Sequence, residues 1–295
     1  MPPRRLRLDA ELVRRGLARS REHASELIAA RRVKVKGAVA TKPATGVTTD
    51  VAIVVDSDPE RPDYVSRGGH KLAGALSVFG PSGFAVRGRR CLDAGASTGG
   101  FTDVLLRAGA AEATGGFTDV LLRAGAAEVV AVDVGYGQLA WSLQSDDRVR
   151  VHDRTNIREL TTELIGGPVD VVVGDLSFIS LEIVLDALLG VTADDGDLAL
   201  MVKPQFEVGK DRVGKGGVVR DLGLRAEAVS SVASAAALRG WGARAVTTSP
   251  LPGPSGNVEF FLWLRRGDAL IGADEVTAEV ARSAHLGVAG EKVES

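Results

Sequence analysis

A chain of 295 residues, 45% hydrophobic and 25% charged, has the length and composition of a globular protein with two cores, which excludes a fibrous or disordered chain. A single cysteine, Cys91, excludes an intrachain disulfide and fits a reducing, cytoplasmic setting, while the lack of a span-length apolar run or of an apolar stretch behind the basic start MPPRRLRLDAELVRRG argues against secretion and a membrane role. The formal net charge of −2 divides unevenly: residues 1–42 carry twelve Lys/Arg against four Asp/Glu, a net of +8, so the rest carries −10.

In chain order, Leu8, Leu12 and Val13 mark the apolar face of a short helix ended by Gly16. Ser20 is the expected N-cap of a second helix, with Ala24, Leu27 and Ile28 on its inner side and Arg21, Arg31 and Arg32 outside it. Val33 and Val35 alternate with Lys34 and Lys36 before Gly37, a strand and turn, and Val51–Val55 (VAIVV) closes the unit as a buried strand. The segment LDAELVRRGLARSREHASELIAARRVKVKG resembles the RNA-binding module shared by a small-subunit ribosomal protein, pseudouridine synthases and tyrosyl-tRNA synthetases. Residues 1–57 are therefore expected to be a small α+β RNA-binding domain, with Arg4, Arg5, Arg14, Arg19, Arg21, Arg31, Lys34 and Lys36 as its RNA contacts.

Residues 58–70, rich in Pro, Gly and Asp, mark a linker. Beyond it, apolar strands alternate with helical stretches, the signature of a mostly parallel α/β sheet. The strands are expected at Arg90–Ala94, Val129–Val134, Val149–His152, Val169–Val173, Leu198–Val202, Ala243–Thr248 and Val258–Leu264. A helix ending at Gly240 precedes Trp241. Residues 268–295 form a tail, with a helix around Val276–Ala284.

The strand CLDA runs into Gly95-Ala96-Ser97-Thr98-Gly99-Gly100 and then a helical stretch, so backbone N–H groups can approach a ligand at a helix start. Glycines in such a turn also serve packing, and the spacing is not that of a dinucleotide fingerprint. The next strand, VVAVDVG, carries Asp133, the residue type and place that binds ribose hydroxyls, although a strand-end turn acid looks the same. Loop and acid together favour an adenosine-containing ligand. TGGFTDVLLRAGAAE occurs at 98–112 and again at 114–128, a period of sixteen residues. Removing one copy shortens the Gly95–Asp133 interval from 38 to 22 residues, close to the spacing of about 20 from loop to acid. The first copy continues directly from DAGAS and is assigned the ligand loop; Gly115 and Gly116 should interrupt any merged helix, leaving the second copy as an extra helical turn that costs stability or affinity.

Lys71 is expected to begin a helix after Gly68-Gly69. Asp175 ends the strand VDVVVG, Lys203 follows LALMV, and Glu259 enters the last strand. Each alone reads as a strand-end charge or surface ion pair. Strand carboxyl ends line the crevice of an open α/β sheet, so Asp175 and Lys203 should face one site, where a Lys/Asp/Lys/Glu cluster can hold one amine as a base. No His/Cys cluster has metal-ligand spacing, and no metal is expected.

The strings VSRGGHKL, CLDAGASTGGF, VDVGYGQLAWSL, GDLSFIS, VKPQFEVG and SPLPGPSGNVEFFLWLR resemble the TlyA family of bacterial 2′-O-ribose methyltransferases, once described as haemolysins. The resemblance implies an FtsJ-like, Rossmann-like class I methyltransferase domain over 71–267, mostly parallel with an antiparallel last strand. It implies S-adenosyl-L-methionine as cofactor and Lys71, Asp175, Lys203 and Glu259 as a catalytic tetrad, with Lys203 as base. Asp93, Gly95, Ala96, Ser97, Thr98, Gly99, Gly100, Asp133, Asn156 and Asp175 would surround the cofactor; Asn156 equally reads as a helix cap. The implied substrate is cytidine in ribosomal RNA on the ribosomal subunits, a modification linked to capreomycin sensitivity. The linker RPDYV has tyrosine where the resemblance leads one to expect tryptophan. Three other readings are a methyltransferase with a different acceptor, a ribosome-associated factor inactivated by the repeat, and a membrane-active haemolysin, for which no amphipathic segment stands out.

Overall fold

The chain divides into two units, Met1–Asp63 and Tyr64–Ser295, in a computed structural model that describes residues 5–18, 20–56, 64–108 and 125–287. In the first unit, helices α1 (Leu8–Arg14) and α2 (Arg21–Ala29) pack through Leu8, Leu12, Ala24, Leu27 and Ile28. Ser20 caps α2 by accepting the His23 N–H at 3.1 Å, and Gly16 (φ +70°) ends the turn after α1. Strand β1 (Leu6–Arg7) pairs with β4 (Gly46–Val47), and β2 (Val33–Val35) lies between β3 (Ala38–Val39) and β5 (Ile53–Val55), all antiparallel. The buried strand expected over Val51–Val55 is shorter and only half covered. Val51 is buried but precedes the strand, and Val54 is 55% exposed, because β5 is an edge strand with one face on the core.

The second unit is built on a seven-stranded sheet in the order β11-β12-β10-β9-β6-β7-β8. Its strands are β6 (Arg90–Ala94), β7 (Glu128–Val132), β8 (Val149–His152), β9 (Val169–Gly174), β10 (Thr192–Val202), β11 (Trp241–Thr248) and β12 (Phe260–Arg266). Pairings among β8, β7, β6, β9 and β10 are parallel, whereas β12 runs antiparallel between β10 and β11. The inner strands read as continuous apolar runs because helices cover both faces, and each face has its own core, one around Val172, Leu185 and Phe260, the other around Phe79, Leu105 and Phe261. Chain order reverses between β6 and β9, which puts the topological switch point at their carboxyl ends.

Several boundaries differ from the sequence reading; β12, for example, is Phe260–Arg266 rather than Val258–Leu264. Helix α3 spans Arg67–Phe79 and starts within the expected linker, so Lys71 lies a turn inside it rather than at its start. Within that helix position 69 is glycine because a Cβ would overlap the Tyr64 side chain. The tail is part of this unit: its helix Ala273–Arg282 buries Val276 and Val280 in the main core, and Glu279 accepts from Thr248 N–H at 2.7 Å. β10 begins at Thr192, six residues early; Thr192 pairs with Val169 of β9 and, past a register shift, Asp197 pairs with Val171.

The repeat is used in two halves. Helix α4 (Gly100–Arg107) comes from the first copy. The N–H groups that meet its C-terminal carbonyls belong to the second: Gly125 donates to the Leu106 carbonyl at 3.3 Å and Ala126 to Leu105 at 2.9 Å, so residues distant in sequence close the helix end. A Cβ on Gly125 would overlap the Leu105 carbonyl. Ala127 then donates to Arg89 at 2.8 Å and the chain enters β7. The expected interruption at Gly115 and Gly116, and the extra helical turn, fall outside the described residues.

Candidate active site and nucleic-acid interface

Parallel register brings the ends of β6, β7 and β9 level. Ala94 pairs with both Val132 and Gly174, so Gly95, Asp133 and Asp175 follow side by side. Antiparallel pairing of Val202 with Phe260 sets the next residue, Lys203, across from Glu259. Lys203 is held extended (φ −113°, ψ 101°) by the following Pro204, which starts the helix Pro204–Glu207.

Two ion pairs result, one half-buried and one buried. Lys203 Nζ lies 2.6 Å from Asp175 Oδ1 and donates to Ser177 Oγ at 2.8 Å. Lys71 Nζ donates to Glu259 Oε2 at 2.5 Å. Lys71, Lys203 and Glu259 are 7%, 6% and 1% exposed, so their partners replace water as the charge-stabilising groups. Gly253 makes room for Glu259, since a Cβ there would come within 2.5 Å of Oε1. Asn257, also buried, fixes the neighbouring loop by accepting from Val219 N–H and donating to the Gly217 carbonyl.

Beside these pairs lies a cavity of about 510 Å³ walled by Gly95, Ser97, Asp133, Asn156, Asp175 and Ser177, among others. Its size suits a nucleoside-like ligand. Asp133 accepts the Ser97 N–H at 2.8 Å on one oxygen and the Gly135 N–H at 2.6 Å on the other, which leaves each oxygen a lone pair for a further donor. Gly95 (φ +84°) passes so close to β9 that a Cβ would meet the Asp175 carbonyl at 2.8 Å. Asn156 caps the turn Ile157–Glu159 by accepting from Arg158 N–H, and it also lines the cavity.

The remaining loop residues are placed differently. Ala96, Gly99 and Gly100 are buried: Gly99 admits Leu139 and Leu143, and Gly100 lets α4 approach Ser66 and Gly69. Thr98 is exposed, and its carbonyl receives Ala140 N–H at 3.1 Å. Asp93 is fully buried and accepts the Thr102 N–H (2.8 Å) and hydroxyl (2.7 Å), tying β6 to α4. Burial pushes its carboxyl up to about 7, against the two bonds from Thr102. Asp93, Ala96, Gly99 and Gly100 are thus packed against neighbouring protein groups and are absent from the cavity wall.

The FtsJ-like methyltransferase family matches residues 64–113 and 109–266, two pieces that overlap at the repeat, and the S4 domain family matches 6–53. The chain is 60% identical to the 16S/23S rRNA (cytidine-2′-O)-methyltransferase TlyA of Mycobacterium tuberculosis, over 89% of this chain and 90% of that protein. The chain belongs to the TlyA family. It is also 32% identical to the 23S rRNA (cytidine-2′-O)-methyltransferase TlyA of Campylobacter jejuni, over 68% of this chain and 70% of that one. A solved structure described as a hemolysin, from Streptococcus thermophilus, superposes with a TM-score of 0.66 at 33% identity, over 95% of this chain and 96% of that one. Among the described residues of this TlyA-family chain, no helix is long and apolar enough to cross a membrane.

The S4 unit carries its charge unevenly. Arg14 pairs with buried Glu11 at 2.6 Å, Arg21 with buried Asp9 at 2.9 Å, and Lys34 with Asp56 at 2.8 Å. Arg7 beside Asp9, and Arg14 beside Glu11, hold both carboxyls down to about 2. Arg5, Arg31 and Lys36 form no ion pair with a described residue, and Arg31 and Lys36 have positive φ (59° and 51°). Arg4 and Arg19 lie outside the described residues. Sequence reasoning missed Ser177, Asn257 and Gly253; Ser177 was legible only as the residue two past Asp175 in GDLSFIS.

Proposed function

We propose that the protein transfers a methyl group from S-adenosyl-L-methionine to the 2′-hydroxyl of cytidine in ribosomal RNA, the S4 unit gripping the RNA on the ribosomal subunits. The observation that carries this reading is the placement of Lys203, beside Asp175 and opposite Glu259, at the strand ends that also wall the Asp133 cavity. Asp133 and Asn156 have acceptor and donor groups suited to ribose and adenine, and Gly95 and Ser97 leave room for the amino-acid part. When bound, the cofactor supplies a methyl carbon on a sulfonium, whose C–S bond breaks toward sulfur as the C–O bond forms. Once its ammonium has released one proton to water, Lys203 takes the hydroxyl proton on Nζ, and Asp175 offsets the charge that forms there again. The Lys71–Glu259 pair is a second charged wall of the same strand-end cluster and holds the polar groups in fixed positions. Sensitivity to capreomycin-type antibiotics is the cellular consequence of this reading.

The test is transfer of tritiated methyl from S-adenosyl-L-methionine to isolated 30S and 50S subunits, with the labelled nucleotide mapped. Cytidine 2′-O-methylation is expected from the wild-type chain. Lys203→Ala is expected to lower transfer by about 10²–10⁴-fold with cofactor binding retained; full activity in that variant removes Lys203 as the base. Cofactor binding without transfer to either subunit would instead favour a different acceptor.

A further inference from the structure

We propose that Ser177 is the positioning residue that aims the Lys203 amine, an inference that rests on the methyl-transfer reading above. Asp175 Oδ1 lies 2.6 Å from Lys203 Nζ, yet that oxygen is buried and receives no directional hydrogen bond. The contact is a side-on ion pair, and a Coulomb attraction of that kind has little angular preference. The directional bond made by Nζ goes to Ser177 Oγ, at 2.8 Å. Register explains the meeting: Leu200 pairs with Gly174 in the parallel β9–β10 ladder, and three residues further along both strands come Lys203 and Ser177. Phe178 turns the chain directly afterwards in a left-handed conformation (φ +65°), which ends the segment with Ser177 at the cavity lip.

The consequence follows from the shape of an amine. After the ammonium gives one proton to water, Nζ has its carbon, two N–H bonds and one lone pair at tetrahedral corners. A hydroxyl that accepts one N–H stops free rotation about the Cε–Nζ bond. The Asp175 charge draws the second N–H to its side without fixing its angle, so the bond to Ser177 is what limits where the lone pair can face. A 2′-hydroxyl proton that passes to Nζ along it becomes the third N–H, and Ser177 and Asp175 keep their places. Asp175 supplies charge and Ser177 supplies direction. Ser177 is exposed and needs no rearrangement of the core to act.

The experiment compares wild type, Ser177→Ala and Ser177→Thr by steady-state methyl transfer to ribosomal subunits, with calorimetric S-adenosyl-L-methionine affinity and subunit affinity measured on the same samples. Ser177→Ala is expected to lower kcat about 10- to 100-fold, the scale of a misaligned reacting group, with both affinities within twofold of wild type. Ser177→Thr, which keeps the hydroxyl, is expected to recover most of kcat. Unchanged kcat in Ser177→Ala overturns the proposal, as does a loss confined to cofactor affinity, which would make Ser177 a cavity wall only. Loss in the alanine variant without threonine rescue also overturns it, because the hydroxyl would then not be the acting group. A wild-type chain that methylates neither subunit overturns instead the functional reading beneath it.

Discussion

Lys71 and Glu259, 188 residues apart in sequence, meet in a buried 2.5 Å ion pair that joins helix α3 to the residue just before strand β12. Such a pair is costly to break singly, because the survivor is left charged and unsolvated. Glu259→Gln is expected to destabilise the second unit by about 3–5 kcal/mol in urea denaturation. The double variant Lys71→Met/Glu259→Leu should recover much of that loss and still transfer no methyl groups. Equal stability of the single variant and wild type would show that water reaches the pair.

The sixteen residues between Ala108 and Gly125 interrupt a helix cap whose donors and acceptors already meet. Deleting residues 109–124 joins Ala108 to Gly125 and leaves every described cap bond in place. Removing a closed loop of this length is expected to raise stability by about 1–3 kcal/mol, read as a higher Tm, with cofactor affinity equal or better. A lower Tm would mean that the copied segment contributes to the fold.

Charge in the S4 unit should separate into two kinds. Arg5→Ala, Arg31→Ala and Lys36→Ala are expected to weaken RNA binding and flatten its salt slope by about one unit for each phosphate left without its cation, with folding unchanged. Arg14→Ala and Arg21→Ala remove partners of buried Glu11 and Asp9, so they should lower the unit's Tm as well. Both acids titrate at about 2 when folded, below the ordinary carboxylate value. Their contribution is therefore complete above about pH 4 and is lost as pH falls toward 2, which thermal melts across that range would read.

Asp93 has the opposite sign. Its carboxyl is raised to about 7 by burial, so the folded state holds a proton that the unfolded chain gives up near pH 4. The stability it contributes is full below about pH 4 and declines as pH rises to 7. Asp93→Asn is expected to reduce the fall in Tm between pH 5 and pH 8; an unchanged fall would place the proton elsewhere.

Much of the fold and part of the site were legible in the sequence. Period-two and period-3.6 patterns located both helices of the S4 unit and the strands of the sheet, because burial on a defined face leaves its spacing in the chain. Asp133, Asp175 and Lys203 were legible because strand ends are marked by the loss of apolar character, and an open parallel sheet turns such ends toward its crevice. The basic first 42 residues marked a polyanion-binding module by charge alone. Three things were decided only in three dimensions. The glycines of the Gly95–Gly100 loop look alike in sequence, yet Gly95 borders the cavity while Gly99 and Gly100 accommodate neighbouring side chains and backbone. The repeat reads as two equal copies, but helix α4 uses one and its cap the other, since hydrogen bonds depend on which groups meet in space. The pairing of Lys71 with Glu259 and of Lys203 with Asp175 and Ser177 follows from strand register and helix packing, and local sequence carries neither.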